Sequence, residues 1–242
     1  MSDTKVTATP VVETNEALVK AKGFWAKFSK PIIYVGSAFI LLIGGWYAYQ
    51  NFYVKPNERK ANEMIFAAEN LFDKMAGATF NKDSVNLVLN GGSLEGNKIT
   101  GILSVISKYG GTKSGNRAKF IAGASYLQIG EFDKAIKYLK EFKGNGAYQV
   151  ESKAYILLGH AYAEKKNTEE AFNYYKKAAR VNAKDEASTP YALLIAASYA
   201  DAMGKNKEAI ELYKELKEKF PANTAVTSGD VEKHLARLGV FE

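Results

Sequence analysis

The stretch YILLGHAYAEKKNTEEAFNYYKKA, residues 155–178, decides the fold. Its apolar residues recur at the three- and four-residue spacing of an amphipathic helix, and one polar turn interrupts them, which predicts two helices joined by a short connection. Gly159 is followed three residues later by Tyr162, and Ala171 lies nine residues beyond that tyrosine. Small residues at facing positions allow the axes of two packed helices to approach closely.

The same spacing recurs along the chain. Gly123 and Tyr126 precede Ala135, and the three alanines Ala135, Ala171 and Ala209 are 36 and 38 residues apart. This pattern resembles the tetratricopeptide repeat, a helix pair of about 34 residues with small and aromatic residues at these positions. The predicted fold class is all-α: a single N-terminal transmembrane helix followed by a tetratricopeptide-repeat-like α-solenoid over residues 55–242.

Helices are also predicted on both sides of the clear repeats. Apolar spacing predicts helices over residues 57–76, 84–89 and 98–109, which we interpret as a degenerate first repeat. Residues 226–238 predict a capping helix with Leu235 and Leu238 facing inward. No segment shows sustained period-two alternation, so the part from Lys55 onward is predicted to be entirely helical. The glycine pairs 91–92 and 110–111 are expected to end helices.

Residues 31–54 predict a transmembrane helix. Ile32–Tyr49 holds eighteen residues without a charge, which at about 1.5 Å per residue can cross a hydrocarbon core of about 30 Å. Bulky residues after the apolar run argue against a cleaved signal peptide, and the lack of a polar stripe argues against a buried globular helix. Aromatic side chains at both ends predict an interfacial belt: Trp25, Phe28, Trp46, Tyr49, Phe52 and Tyr53.

The basic residues beside this segment predict its orientation. Residues 20–30 contain four lysines, whereas residues 55–60 contain two lysines and one arginine. The excess on the N-terminal side favours a cytoplasmic N-terminus, with the repeat domain on the other side of the membrane. Residues 1–30 are predicted to be a disordered cytoplasmic tail.

Composition disfavours several kinds of chemistry. The chain has no cysteine, which excludes disulfides and thiolate catalysis. His160 and His234 lie in separate segments without a metal-binding motif, and no phosphate-binding or nucleophile motif occurs. The net charge is +7, but charges alternate along the helices, as at Lys214 and Glu218, so no nucleic-acid partner is predicted. We expect a non-enzymatic protein without a cofactor or metal.

Function is therefore expected on the concave surface that stacked repeats create. An apolar groove with few basic residues suits an amphipathic segment or a partner helix. Alternatively, another element of the same chain, such as the C-terminal helix, fills this groove. The residues predicted to line it occupy fixed positions of the first helix of two repeats: Arg117, Phe120, Ala124, Leu127, Lys153, Ile156, His160 and Ala163.

The order of features also resembles the YfgM-like family, over roughly residues 20–242. The stretch that carries this resemblance includes Asp83-Ser84, Gly96, and the run from Tyr109 to Asn116 with its Tyr-Gly-x-Thr-Lys-x-Gly-Asn pattern. The resemblance implies an ancillary subunit of the SecYEG translocon in the bacterial inner membrane. It also implies a periplasmic repeat domain and, as partners, the translocon, the parvulin-like membrane chaperone PpiD and exported clients.

Two other functions remain open at this point. The chain could be a cell-envelope scaffold at the divisome or with peptidoglycan machinery, or a cytoplasm-facing receptor of inverted topology. Topology separates the receptor from the other two, and co-purification separates the remaining pair.

Overall fold

The structure is a computed structural model that describes residues 13–77 and 80–241. The chain divides into two compact units between Pro56 and Asn57.

The first unit contains one long helix, α1 (Glu13–Tyr49), and a π-helical turn (Gln50–Val54). The helical stretch from Glu16 includes an 18-residue window with a mean hydropathy of 1.6, none of it buried. By length and composition, this window can cross a membrane.

The predicted disordered tail is wrong for residues 13–30, which are part of α1. Alanine and leucine favour helix there, and Lys20 forms an i,i+4 ion pair with Glu16 at 3.2 Å, which supports an exposed helix. Residues 1–12 of the predicted tail lie outside the described residues.

The second unit is a succession of short elements dominated by helices. They are α2 (Lys55–Met75), α3 (Lys82–Asn90), β1 (Gly91–Leu94), β2 (Asn97–Thr100), α4 (Ile102–Tyr109), α5 (Lys113–Gln128), α6 (Phe132–Glu141), α7 (Tyr148–Glu164), α8 (Thr168–Arg180), α9 (Thr189–Ala202), α10 (Asn206–Lys219), α11 (Thr224–Thr227) and α12 (Asp230–Arg237).

Three consecutive helix pairs, α5–α6, α7–α8 and α9–α10, form the repeats that the alanine spacing predicts. Ala135, Ala171 and Ala209 are fully buried in the second helix of each pair. A β-carbon on Gly123 would lie 2.4 Å from Cγ of Leu139, so only glycine permits the observed approach of α5 and α6. The all-α solenoid fold is confirmed.

The core is divided along the solenoid. One cluster joins residues of α2, α3, α4 and α5, including Ile65, Val88 and Ile102. Another joins α7 to α10 with α12, including Tyr213 and Leu235. This succession is expected for repeats that each pack on their neighbours.

The prediction that everything after Lys55 is helical is wrong at residues 91–100, where β1 and β2 pair antiparallel. Gly91 ends α3 with a φ of 81°, and the chain then turns back instead of starting a helix. Ile99 belongs to β2 and is buried, so its position in the apolar stripe assigned to residues 98–109 was misleading. The helix begins only at Ile102. Residues 116–221 contain no strand.

The predicted capping helix over residues 226–238 is two helices, α11 and α12. Gly229 separates them with a φ of 77°, a left-handed conformation that glycine adopts readily. Leu235 is buried and Leu238 is half-buried against the same cluster, so both face inward as expected.

Candidate protein-binding groove

An open groove of about 510 Å³ lies between α7 and the start of α9. Helix α7 forms one wall, and the loop before α9 together with the first turn of α9 forms the other. The residues that line it are Gln149, Ser152, Lys153, Ile156, Leu157, His160, Ala187, Ser188 and Tyr191.

Three of the predicted groove residues, Lys153, Ile156 and His160, line this groove together. They differ in exposure: Lys153 is exposed, His160 is half-buried, and Ile156 is only 6% exposed. Ile156 is therefore an apolar floor that also belongs to the core. Ala163, the fourth predicted residue of α7, is half-buried and is not among the lining residues.

The predicted residues of α5 do not join this groove. Arg117 is held against α2, where its Nε donates to Glu69 Oε1 at 3.0 Å and its Nη2 donates to Asn62 Oδ1 at 3.0 Å. Ala124 is buried, Leu127 is half-buried, and the ring of Phe120 packs on Phe142 with centroids 5.5 Å apart. The contacts of Arg117 and Phe120 are therefore made with α2 and within the repeat, and not in the groove between α7 and α9.

Hydrogen bonds between α2 and the N-terminus of α5 hold α2 beside Arg117. Glu58 of α2 accepts hydrogen bonds from the Lys113 amide at 2.6 Å, and from the amide and hydroxyl of Ser114 at 2.9 and 2.6 Å. Burial raises the pKa of Glu58, but these hydrogen bonds outweigh it, so the pKa is lower than its ordinary value. An ionised carboxylate at a helix N-terminus is stabilised by the free amides there.

His160 contributes a neutral polar group to the groove. Its Nδ1 lies 2.9 Å from the hydroxyl of Tyr175, and burial lowers the pKa of its ring. Burial also raises the pKa of Tyr175 well above its usual range. Because both groups are uncharged near neutral pH, Lys153 is the cationic group among the lining residues.

In the loop that forms the opposite wall, the carboxylate of Asp185 is held by several hydrogen bonds. Asp185 accepts from the Ser188 amide at 3.0 Å, from the Ser188 hydroxyl, and from Gln149 Nε2 at 3.3 Å. These hydrogen bonds, led by the Ser188 hydroxyl, lower the pKa of Asp185. No ion pair involves Lys153 among residues 13–77 and 80–241.

The sequence predicted Lys153, Ile156 and His160 but missed the other six residues that line the groove. Tyr191, which is 58% exposed, could have been predicted from the repeat spacing. It precedes Ala209 by eighteen residues, and the same interval separates Lys153 from Ala171 and Arg117 from Ala135. Ala187 and Ser188 carry no such signal, because the loop before α9 brings them to the groove. Gln149, Ser152 and Leu157 lie on α7 itself, beside the predicted positions.

The predicted membrane-interface residues all lie in the first unit. Phe28 is 39% exposed and the others are at least half exposed. On the C-terminal side, Trp46 and Tyr53 both pack on Tyr49, with ring centroids 6.4 and 5.4 Å apart. Exposed rings at both ends of the apolar window are Trp25, Phe28, Trp46, Tyr49, Phe52 and Tyr53.

Within the described ranges, no group of three His, Asp or Glu side chains is arranged to hold a metal ion. The two histidines instead contact tyrosines: His160 meets Tyr175, and His234 stacks on Tyr213 with centroids 5.0 Å apart.

Models of one known repeat family match the helices on either side of the groove. Tetratricopeptide-repeat profiles match residues 152–185 and residues 191–223. The first match covers most of α7 and α8, and the second covers most of α9 and α10. No curated protein matches the chain at a significant level. The chain therefore contains tetratricopeptide repeats, and the groove lies where the two matched regions meet.

Proposed function

We propose that this protein is a non-enzymatic inner-membrane adaptor that is anchored by α1 and binds partner proteins in the groove between α7 and α9. Tetratricopeptide repeats suggest a protein–protein interaction scaffold. The observation that carries the proposal is the open, mostly apolar groove where the two matched repeats meet.

The chemistry of the groove suits an amphipathic protein segment. Ile156, Leu157 and Tyr191 offer apolar surface, and His160 offers a neutral polar group. Lys153 supplies one positive charge at the rim. A segment with apolar side chains along one face and a carboxylate near Lys153 would complement all of these groups.

For the partner, we propose the Sec translocon together with a PpiD-like chaperone, with the repeat domain in the periplasm. The support is the resemblance to the YfgM-like family and the apolar window of α1.

The run from Tyr109 to Asn116, which carries that resemblance, has a structural role in this chain. Thr112 Oγ1 accepts a hydrogen bond from the Gly115 amide at 2.9 Å and caps α5. Asn116 exchanges two hydrogen bonds with the backbone of Lys143, at 2.7 and 2.9 Å.

The two alternative functions use the same groove. A cell-envelope scaffold at the divisome or with peptidoglycan machinery would have the same topology but other partners. A cytoplasm-facing receptor would have the opposite topology.

The test is affinity isolation of the full chain after gentle detergent extraction of its native membranes. We expect translocon subunits and a parvulin-like chaperone to be recovered in fixed proportion to the bait. An unrelated single-span protein of similar abundance serves as the control. Recovery of division or peptidoglycan enzymes without the translocon would contradict the proposed partner and favour the scaffold.

A further inference from the structure

Residues 16–30 of α1 form a two-faced helix ahead of the apolar window. Leu18, Ala21, Trp25 and Phe28 follow one another at three- and four-residue steps and therefore share one face. Two of its large side chains are well exposed: Leu18 and Trp25 are each 57% exposed. Phe24 borders this face and contacts Phe28, with ring centroids 4.9 Å apart.

The lysines of this segment lie mainly on the other side of the helix. Lys20, Lys27 and Lys30 are related by steps of seven and three residues, which keeps them on one face. Glu16 pairs with Lys20 on the same face, and Lys22 lies between the two faces. With four lysines and one glutamate, the segment carries a net charge of +3.

Pro31 separates this segment from the apolar window. Proline lacks the amide hydrogen that would bond to the carbonyl of Lys27, so the helix is weakened there and can bend. A lysine-rich face opposite tryptophan, phenylalanine and leucine is the pattern of helices that lie in a membrane interface. Lysines beside a span are also attracted to anionic lipid.

We propose that residues 16–30 lie on the membrane surface, with Trp25 and Leu18 toward the acyl chains and the lysines toward anionic phospholipid headgroups. The lipid surface is the occupant that both faces fit, because it offers apolar chains and phosphates at adjacent depths. This inference rests on the proposed anchoring by α1.

The test places a tryptophan on each face of the full chain. The chain has two tryptophans, so a Trp25→Phe and Trp46→Phe background leaves the introduced residue as the sole probe. The probes are Leu18→Trp on the apolar face and Gly23→Trp on the lysine face. Gly23 has a negative φ and no atom within 4 Å of an added β-carbon. The protein is reconstituted in phosphatidylcholine vesicles with phosphatidylglycerol, and quenching by brominated lipid is measured.

A surface helix predicts stronger lipid quenching and a larger blue shift for Leu18→Trp than for Gly23→Trp. A helix that continued straight away from the bilayer would reverse this order. At about 1.5 Å per residue, position 18 would then stand about 20 Å beyond Pro31, and position 23 about 12 Å. Equal exposure of both probes to water would overturn the proposal, and would leave a protein partner as the occupant of the apolar face.

The lysines are tested by changing Lys20, Lys22, Lys27 and Lys30 to Gln together. Most of the Leu18→Trp quenching should then be lost, as it should in vesicles without phosphatidylglycerol. A matched variant replaces four exposed lysines of the repeat domain, Lys98, Lys108, Lys184 and Lys207, and should keep the quenching. Unchanged quenching in the first variant would contradict the anionic-lipid contact. Release of the wild-type chain from vesicles by alkaline wash would instead contradict the anchor itself.

Discussion

Gly159 in α7 lies directly against the ring of Tyr175 in α8: a β-carbon on Gly159 would stand 2.3 Å from Cε1 of Tyr175. The ring is buried, and its hydroxyl is engaged by His160. The ring therefore has little freedom to move away. This contact fixes the separation of the two helices that form the first matched repeat.

Gly159→Leu should accordingly destabilise the protein, because overpacking typically costs about 1–3 kcal/mol. The free energy of unfolding is measured by urea titration. Gly111→Ala is the control, because no atom lies within 4 Å of an added β-carbon there and its φ is not positive. An unchanged free energy of unfolding for Gly159→Leu would mean that α7 and α8 do not approach at this position.

Glu58 connects α2 to the repeats through the N-terminus of α5. Glu58→Ala removes an acceptor of three hydrogen bonds and should cost about 1–2 kcal/mol, as loss of a helix cap does. Faster hydrogen exchange of the Lys113 and Ser114 amides would identify the site of the effect. Glu63→Ala, an exposed carboxylate of the same helix, should change neither quantity. If both amides exchange in Glu58→Ala as slowly as in the wild type, Glu58 does not cap α5 in the wild-type protein.

Glu215 should make stability depend on pH in the acid range. Its hydrogen bonds to Arg180, followed by those to Lys219, lower its pKa from the ordinary 4.5 to about 2. Because the pKa is lower in the folded state, the stabilisation is complete above pH 4.5 and is lost as the pH falls from 4.5 to about 2. Arg180 is half exposed, so solvent screening limits the contribution to about 1 kcal/mol.

Urea unfolding of Glu215→Gln tests this dependence. The variant should be less stable than the wild type at neutral pH, and the difference should narrow as the pH approaches about 3. Glu208→Gln, an exposed residue of the same helix, provides the matched control. A difference that stays constant over this range would contradict the ion-paired state of Glu215.

The topology is tested by reporters fused to the C-terminus. An alkaline phosphatase fusion should be active because that enzyme requires export, whereas an unmodified green fluorescent protein should stay dark. The predicted orientation rests on the lysines of residues 20–30. Changing all four to Gln should therefore reduce phosphatase activity, and the four-lysine control in the repeat domain should not. Fluorescence without phosphatase activity would favour the inverted receptor.

The repeat fold could be predicted from sequence because its determinants are local and periodic. Gly123, Gly159 and the buried alanines recur at spacings that only stacked helix pairs explain. The hairpin at residues 91–100 was missed because its signal is conformational. Gly91 turns the chain at a positive φ, and a β-carbon on Gly101 would lie 2.2 Å from the carbonyl carbon of Asn90. Neither requirement is visible as a hydropathy pattern.

The groove could be predicted only in part for a related reason. Positions within α7 follow from the repeat register, and Lys153, Ile156 and His160 do meet there. Arg117 occupies the equivalent register position in α5, but its partner Glu69 lies 48 residues away in α2, outside the three helix pairs. Such long-range contacts depend on how α2 packs, which helical periodicity does not specify.

The burial of Ile156 limits which groove residues can be substituted in a binding test. A glutamate there would replace a side chain that is only 6% exposed, so it would disturb folding before it could report on binding. Phe120 packs on Phe142 and has the same drawback. Lys153 and Tyr191 are exposed lining residues, and changes to them should leave the helices intact.

The most direct test compares partner recovery with the variant Lys153→Glu/Tyr191→Ala and with the wild type, in the affinity isolation described above. Lys137→Glu on α6, outside the groove, is the control, and circular dichroism establishes that all three proteins are equally helical. A reversed charge and a lost ring should lower recovery of the translocon and chaperone at least about tenfold, which corresponds to about 1.4 kcal/mol. The Lys137→Glu variant should recover them as the wild type does. Wild-type recovery by the folded double variant would contradict the claim that this groove is the binding site.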